Sequence, residues 1–270
     1  MKIVTRPRAA VVLACAGYRA LAATLAIAPW SMAAAEHVGS HPDGDAALFH
    51  EGGMVLAETL RMMAPSTTRL GITTLVLTLL LTFGWVAALA ALIASLEVGT
   101  RGVKTLCSRA GKHFPVLAAM QGAALLLRAL IVAGAVVGGG ALARNLNIEP
   151  HTSDWVRMGG VVVGLLLAWL FTVLHDGARV AVVQRDARLW EALDRAVQPL
   201  RDDARATLWA AMWRTLMALG ILGWATHVTT QIVPGSSADV AIAFVAQSAA
   251  LVAAVMLRAS WFRWLSVRQV

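Results

Sequence analysis

Charge is what this chain has least of. Asp, Glu, Lys and Arg make up only 14% of its 270 residues, against 59% hydrophobic, and the mean hydropathy is +0.69. A water-soluble domain needs far more charge to wet its surface, so a soluble globular fold is excluded. Cysteine is scarce too. Cys15 lies in an apolar segment and Cys107 in a basic stretch, an arrangement that fits neither a disulfide nor a metal site. Enzyme signatures are missing: the chain has no His-Glu-x-x-His, Gly-x-Ser-x-Gly, paired-carboxylate motif or phosphate-cradling glycine loop, and no polar stretch long enough for a soluble catalytic domain. A non-enzymatic protein without cofactor or metal is expected. Acids are the rarer sign, 15 against 23 Lys and Arg, which leaves a formal charge of +8. In a chain this apolar, such an excess reports loop orientation and contact with anionic lipid headgroups. The basic residues are dispersed rather than clustered with aromatics, so membrane lipids are the expected partners and nucleic acid is not.

Long uncharged runs are what the chain has instead. Residues 70–96, 158–175, 215–238 and 240–257 carry no charge, while 9–30 and 114–143 are each interrupted once, by Arg19 and Arg128. A hydrocarbon core of roughly 30 Å takes about 20 helical residues. The spacing predicts an all-α bundle of six transmembrane helices, at about 9–30, 70–96, 114–143, 158–183, 206–232 and 239–263. These form a single membrane domain with an outer loop 31–69 and cytoplasmic loops 97–113 and 184–205. Sixteen Lys and Arg residues fall on the side of the N-terminus and four on the other, so both termini are expected in the cytoplasm, across the inner membrane. Trp30 and Trp155 then mark the outer boundary and Trp190, Trp209, Trp261 and Trp264 the inner one; Trp85, Trp169 and Trp224 are expected to pack inside. Residues 1–35, with Ala33-Ala34-Ala35 before Glu36, also have the outline of a cleaved signal peptide. The length of the apolar stretch and the presence of Arg19 argue that it is retained as a span.

Two further helices are expected outside the spans. After a turn at His41-Pro42-Asp43-Gly44-Asp45, Leu56, Leu60 and Met63 predict an amphipathic helix at about 54–63 on the outer surface. Leu189, Leu193, Val197 and Leu200 predict another at about 186–205, bent or ended by Pro199. Gly134 with Gly138, and Gly160 with Gly164, predict close approach of the third and fourth spans. Spans two and three, and four and five, also share a basic inner connection followed by an arginine, an echo that fits either an internal repeat or chance in an Ala/Leu-rich chain.

Three intramembrane arginines are the candidate site. At 1.5 Å per residue, Arg19, Arg128 and Arg214 lie roughly 15, 20 and 12 Å from the inner ends of their spans, and Asp176 is the only carboxylate at depth to balance them. Arginine at the centre of a span costs about 2.5–3.5 kcal/mol and needs a partner. One reading pairs Arg214 with Asp176 and leaves Arg19 and Arg128 to backbone carbonyls. The other has the surplus positive charge line a cavity for an anionic lipid headgroup or small anion, which planar guanidinium suits. Asp176 and Arg179, at i and i+3, can also pair at the inner interface. Thr74, Thr78 and Thr82 share a face of span two, either as a polar track or bonded to the preceding turn. His227 is expected inside the bundle. His41, Asp43, Asp45, His50 and Glu51 gather acids and imidazoles in the outer loop, but their irregular spacing favours a turn over a metal site.

His175-Asp176-Gly177-Ala178-Arg179-Val180, followed by the charged stretch Arg185 to Arg205, together with Asp45-Ala46-Ala47-Leu48-Phe49 and Gly52-Gly53, resembles uncharacterised bacterial six-span membrane proteins. Those are similar to the membrane domain attached to some glycerophosphodiester phosphodiesterases. The catalytic barrel has no counterpart here, so the resemblance implies an accessory or lipid-associated membrane role and no hydrolysis.

Overall fold

The structure is a computed structural model, and it describes residues 7–38, 54–97, 102–145, 150–232 and 237–269. Its elements are six helices: α1 Ala9–Val38, α2 Met54–Ala94, α3 Val103–Asn145, α4 Pro150–Arg185, α5 Leu189–Thr230 and α6 Ser237–Arg268. Each contains a stretch long and apolar enough to cross a bilayer. The chain is an all-α, multi-pass integral membrane protein. Helix is what hydrocarbon demands, because backbone N–H and C=O groups find no water there and must bond within the segment. Large apolar side chains such as Leu80, Leu126, Val137, Leu166, Leu216 and Phe244 stand exposed on the helices, and lipid is the medium that covers them without penalty.

The helices outrun the expected spans. α3 has 43 residues, about 60 Å at 1.5 Å per residue, or roughly twice the hydrocarbon thickness. Residues 103–113, expected in a loop, form the first turns of α3, and 54–63 runs on into the second span as one helix, α2. The residues of the 41–51 cluster, its turn, and Gly52-Gly53 lie outside the described residues.

α5 is two helices joined at a break, and the break is not at Pro199. It falls at Asp203, with φ −156° and ψ 84°. There the carboxylate of Asp203 accepts from the Ala206 N–H at 2.9 Å and caps the second segment. Proline lacks the N–H that would bond the carbonyl four residues earlier. That carbonyl belongs to Arg195, and it accepts instead from Gln269 Nε2 at 3.3 Å. The Thr207 hydroxyl donates across the break, with the Pro199 and Asp203 carbonyls each 2.8 Å away. The carbonyl that Pro199 orphans thus finds a side-chain donor.

The chain forms two compact units. One comprises residues 16–85, the other residues up to 15 together with 86–270. In the first, the Tyr18 hydroxyl donates to the Leu81 carbonyl at 2.7 Å and Trp30 Nε1 donates to Thr74 Oγ1 at 2.8 Å, tying α1 to α2. In the second, α3 packs on α4, α4 on α5, and α5 on α6. The core of this unit gathers Leu92 and Ile93 from the end of α2, Val180 and Val183 from α4, and Val255 and Phe262 from α6, all at 1% exposure or less.

The α3–α4 crossing is built on glycine, one residue away from the expected register. A Cβ on Gly160 would lie 2.8 Å from the Ala135 carbonyl oxygen and 3.1 Å from Gly139 Cα, and one on Gly164 would lie 2.7 Å from Ala135 Cβ. Gly134 and Gly138 have nothing within 4 Å of such an atom. The α4 pair is as expected, but the α3 face that meets it carries Ala135 and Gly139. Consecutive glycines at 138–140 make the face ambiguous in the sequence, and only the rotation of α3 in the bundle selects it.

Asp186, in the turn between α4 and α5, has φ 52°, a left-handed conformation that aspartate tolerates better than most residues. Lys112 Nζ donates to its carboxylate at 2.6 Å and His113 Nε2 lies 3.2 Å away. The Lys112 hydrogen bond holds this carboxyl below the usual carboxylate range. Its contribution is therefore complete at neutral pH, above the unfolded value, and is lost as pH falls through the lowered folded value. Hydrogen exchange over 186–190, corrected for intrinsic rates, should rise in the wild type below about pH 4. In Asp186→Asn the same exchange should be faster at neutral pH and show no such acid step.

Candidate functional site

Asp176 is the centre of the second unit's charge. It is 1% exposed, and it faces three donors: Arg179 Nη1 at 3.2 Å, Arg258 Nη2 at 2.5 Å and Trp261 Nε1 at 3.1 Å. The helical spacing accounts for the arrangement. Asp176 and Arg179 are one turn apart on α4, and Arg258 and Trp261 one turn apart on α6, so two i, i+3 pairs meet across one helix contact. Arg179 reaches further, donating through Nη2 to Gln121 Oε1 of α3. The Asp176–Arg179 pair is buried among three helices rather than lying at a wetted edge.

Arg128 adds a third guanidinium. Its Nη2 lies 3.1 Å from His175 Nδ1, and its charge sits 5.7 Å from the centre of the Phe171 ring, which stacks on His175. Guanidinium only donates, so Nδ1 is the acceptor and the proton of this imidazole is on Nε2. Three guanidiniums, of Arg128, Arg179 and Arg258, act on His175, with Asp176 beside it. The formal surplus is two positive charges. Among the described residues, three buried N–H groups of the cluster have no acceptor: Arg128 Nε, His175 Nε2 and Arg179 Nε. These N–H groups are enclosed by protein, so it is the surplus positive charge of the cluster that attracts oxygens carrying negative charge.

The other two expected arginines do not join this cluster. Arg214 does not pair with Asp176; its Nε donates to Ser260 Oγ at 2.9 Å, its Nη1 to the Ala210 carbonyl at 2.7 Å, and its charge lies 4.5 Å from the Trp213 ring. A serine, a carbonyl of its own helix and an indole satisfy it, while Arg179 and Arg258 take the carboxylate. Arg19 belongs to the other unit, where its charge lies 5.3 Å from the Trp85 ring beside a cavity of about 250 Å³ that Thr78 and Thr82 also line. The threonine face is no continuous track: Thr82 donates to the Thr78 carbonyl and Thr74 accepts from Trp30. Trp85 stacks on Tyr18 and Trp169 bonds Thr215, but Trp224 is 66% exposed and His227 also lies on the exposed side of α5.

Sequence reasoning missed Arg258 and Trp261. They were assigned to the basic inner end of the last span, where charge is ordinary. A signal was available, since Arg258 ends the uncharged run 240–257 as Asp176 ends 158–175. Arg128 and Arg214 likewise open the uncharged runs 129–143 and 215–238. The bonds from Arg128 to His175, Arg258 to Asp176 and Arg214 to Ser260 hold these four run ends at one level. These residues thus form a layer at one level of the bundle, Arg214, Asp176 and Arg258 at ends of uncharged runs and Arg128 within the run 114–143 that it interrupts. α3 and α5 are long enough to make that possible.

A groove opens beside the layer, between α3, α4 and the first segment of α5. Its volume is about 660 Å³, and its lining is apolar, with Val116, Ala123, Leu127, Phe171 and Leu193 among it, except for His175. Gly177 allows the α5 segment to close the far side, since a Cβ there would lie 3.0 Å from Ala196 Cα. No protein-family model matches the chain, and no curated protein or solved structure proved similar to it.

Proposed function

We propose that this is a non-enzymatic accessory protein of the inner membrane, with both termini in the cytoplasm, that takes part in lipid handling by holding an anionic lipid headgroup at Arg128. The observation that carries the reading is the charge imbalance around Asp176, with the three guanidiniums of Arg128, Arg179 and Arg258 to one carboxylate. The excess of Lys and Arg on the side of the N-terminus supports the orientation. In that orientation the arginine layer lies at the inner edge of the uncharged runs, where anionic headgroups are concentrated. Trp190 and Trp209, 80% and 63% exposed, flank the layer on the same side, as an interfacial belt requires. Arg128 and Arg214 have separate partners, which favours one local headgroup site over a shared conduit for a transported anion.

Arg128→Leu is the test, with protein purified in mild detergent and its retained phospholipid quantified by mass spectrometry. A charge-assisted hydrogen bond contributes about 1.5–3 kcal/mol, so retained anionic phospholipid should fall by roughly tenfold or more while helicity and thermal midpoint hold. Arg214→Leu should leave retention unchanged. Equal retention in wild type and Arg128→Leu would refute the reading.

A further inference from the structure

We infer that the groove between α3, α4 and the first segment of α5 holds a single-chain anionic amphiphile, a fatty acid or a lysophospholipid. Its head lies at Arg128 and His175, and its chain lies along the α3 stripe that leads to them. This rests on the headgroup reading above and names the class of lipid.

Continuity between the polar and apolar parts is the first argument. His175 belongs to both, since it lines the groove and bonds Arg128. On α3, Val116, Met120, Ala123 and Leu127 line the groove at i, i+4, i+7 and i+11, one helical face about 16 Å long. Arg128 follows at once. His175, the polar residue of the groove lining, thus joins an apolar trough of this length to the Arg128 guanidinium. The volume, about 660 Å³, lies within the range of ligand pockets.

Direction is the second argument, and it separates the groove's occupant from a lipid of the surrounding leaflet. From Arg128, the stripe runs along the uncharged stretch 114–127 toward the amino-terminal end of α3, while the uncharged runs 129–143 and 158–174 lie on the other side of the arginine layer. A bilayer phospholipid with its head at that layer sends its chains into those runs. An amphiphile in the groove points the opposite way, so it is held as a ligand by the protein.

The groove is preformed, which is the third argument. Its α5 wall is fixed on three counts: the close approach of Ala196 to Gly177, the Gln269 side chain donating to both Gly177 and Arg195 carbonyls, and the Lys112–Asp186 bond at its entry turn. A site that needs no ordering on binding keeps more of its contact energy as affinity.

The experiment uses full-length protein in amphipol, with radiolabelled oleate and oleoyl lysophosphatidate as probes. Saturable binding of either is expected, with oleyl alcohol, which has the chain but no charge, and acetate, which has the charge but no chain, each competing at least tenfold more weakly. Ala119→Phe and Ala123→Phe place a ring in the groove at positions whose side chains are exposed, so folding should survive, as circular dichroism would verify. Each should weaken binding about tenfold or more, as should Arg128→Leu. If Ala123→Phe fails to fold, Ala119→Phe and Leu193→Phe, at a lining residue 41% exposed, carry the test. No saturable binding of either probe, or unchanged affinity in the folded groove variants, overturns the inference. Retained phosphatidylglycerol measured on the same samples separates the two claims. If its retention still depends on Arg128 while the probes fail to bind, the headgroup reading stands and only this inference falls.

Discussion

Asp176→Asn is expected to unfold the second unit, or to leave it so weakened that little monodisperse protein survives extraction into detergent. The carboxylate is 1% exposed and accepts from Arg179, Arg258 and Trp261. Asparagine fills nearly the same volume and keeps one oxygen to accept from Trp261, but it removes the negative charge that balances two guanidiniums. Breaking a buried ion pair by neutralising one partner costs about 3–5 kcal/mol, because the remaining charge stays buried without compensation. Arg179 bears most of that penalty, since its side chain is only 6% exposed. Arg258→Gln should be milder, because the Arg258 side chain is 33% exposed and Asp176 keeps its other two donors. Thermal unfolding followed by circular dichroism in detergent separates the cases. If Asp176→Asn melts within a few degrees of the wild type, Asp176 is not the keystone of the bundle.

The second large effect is expected at the α3–α4 crossing. In Gly160→Val, the first added carbon meets the Ala135 carbonyl oxygen at 2.8 Å and Gly139 Cα at 3.1 Å. Both are backbone atoms, so no rotamer change relieves the contact, and the helices must move apart. Overpacking of this kind costs about 1–3 kcal/mol in a soluble core. A membrane crossing has little else to hold it, since lipid covers apolar surface as well as protein does and close backbone packing supplies the attraction. Gly138→Ala is the contrasting variant. Nothing lies within 4 Å of a Cβ there, so the change should be neutral or stabilise by about 0.5–1 kcal/mol through helix propensity. Equal melting temperatures for Gly160→Val and wild type would remove the crossing from the account.

How far each feature was legible follows from its physical range. The fold class and the number of helices depend on composition over about 20 residues, and uncharged runs such as 158–175 and 240–257 carry that information in themselves. The lengths were not legible. The stretch 103–113 continues the third spanning helix, because a helix once begun continues until a capping or breaking residue stops it. The break at Asp203 shows the same limit. Pro199 announced a bend, but the site of the bend depends on which carbonyls Gln269 and Thr207 can reach.

For the candidate site, the sequence by itself determined that buried guanidinium would exceed buried carboxylate, and that Arg128 and Asp176 would matter to the balance. A count of charges inside apolar runs suffices for that, whatever the packing. Only the tertiary structure decided which arginines share the carboxylate. Arg258 and Arg179 do, and Arg214 does not, because pairing acts over a few ångströms and depends on how α4 is rotated against α6 and α5. Depth was decided in the same way. A residue's number gives its height along its own helix, but its level in the bundle is set by the offset between helices, and contacts alone reveal that offset.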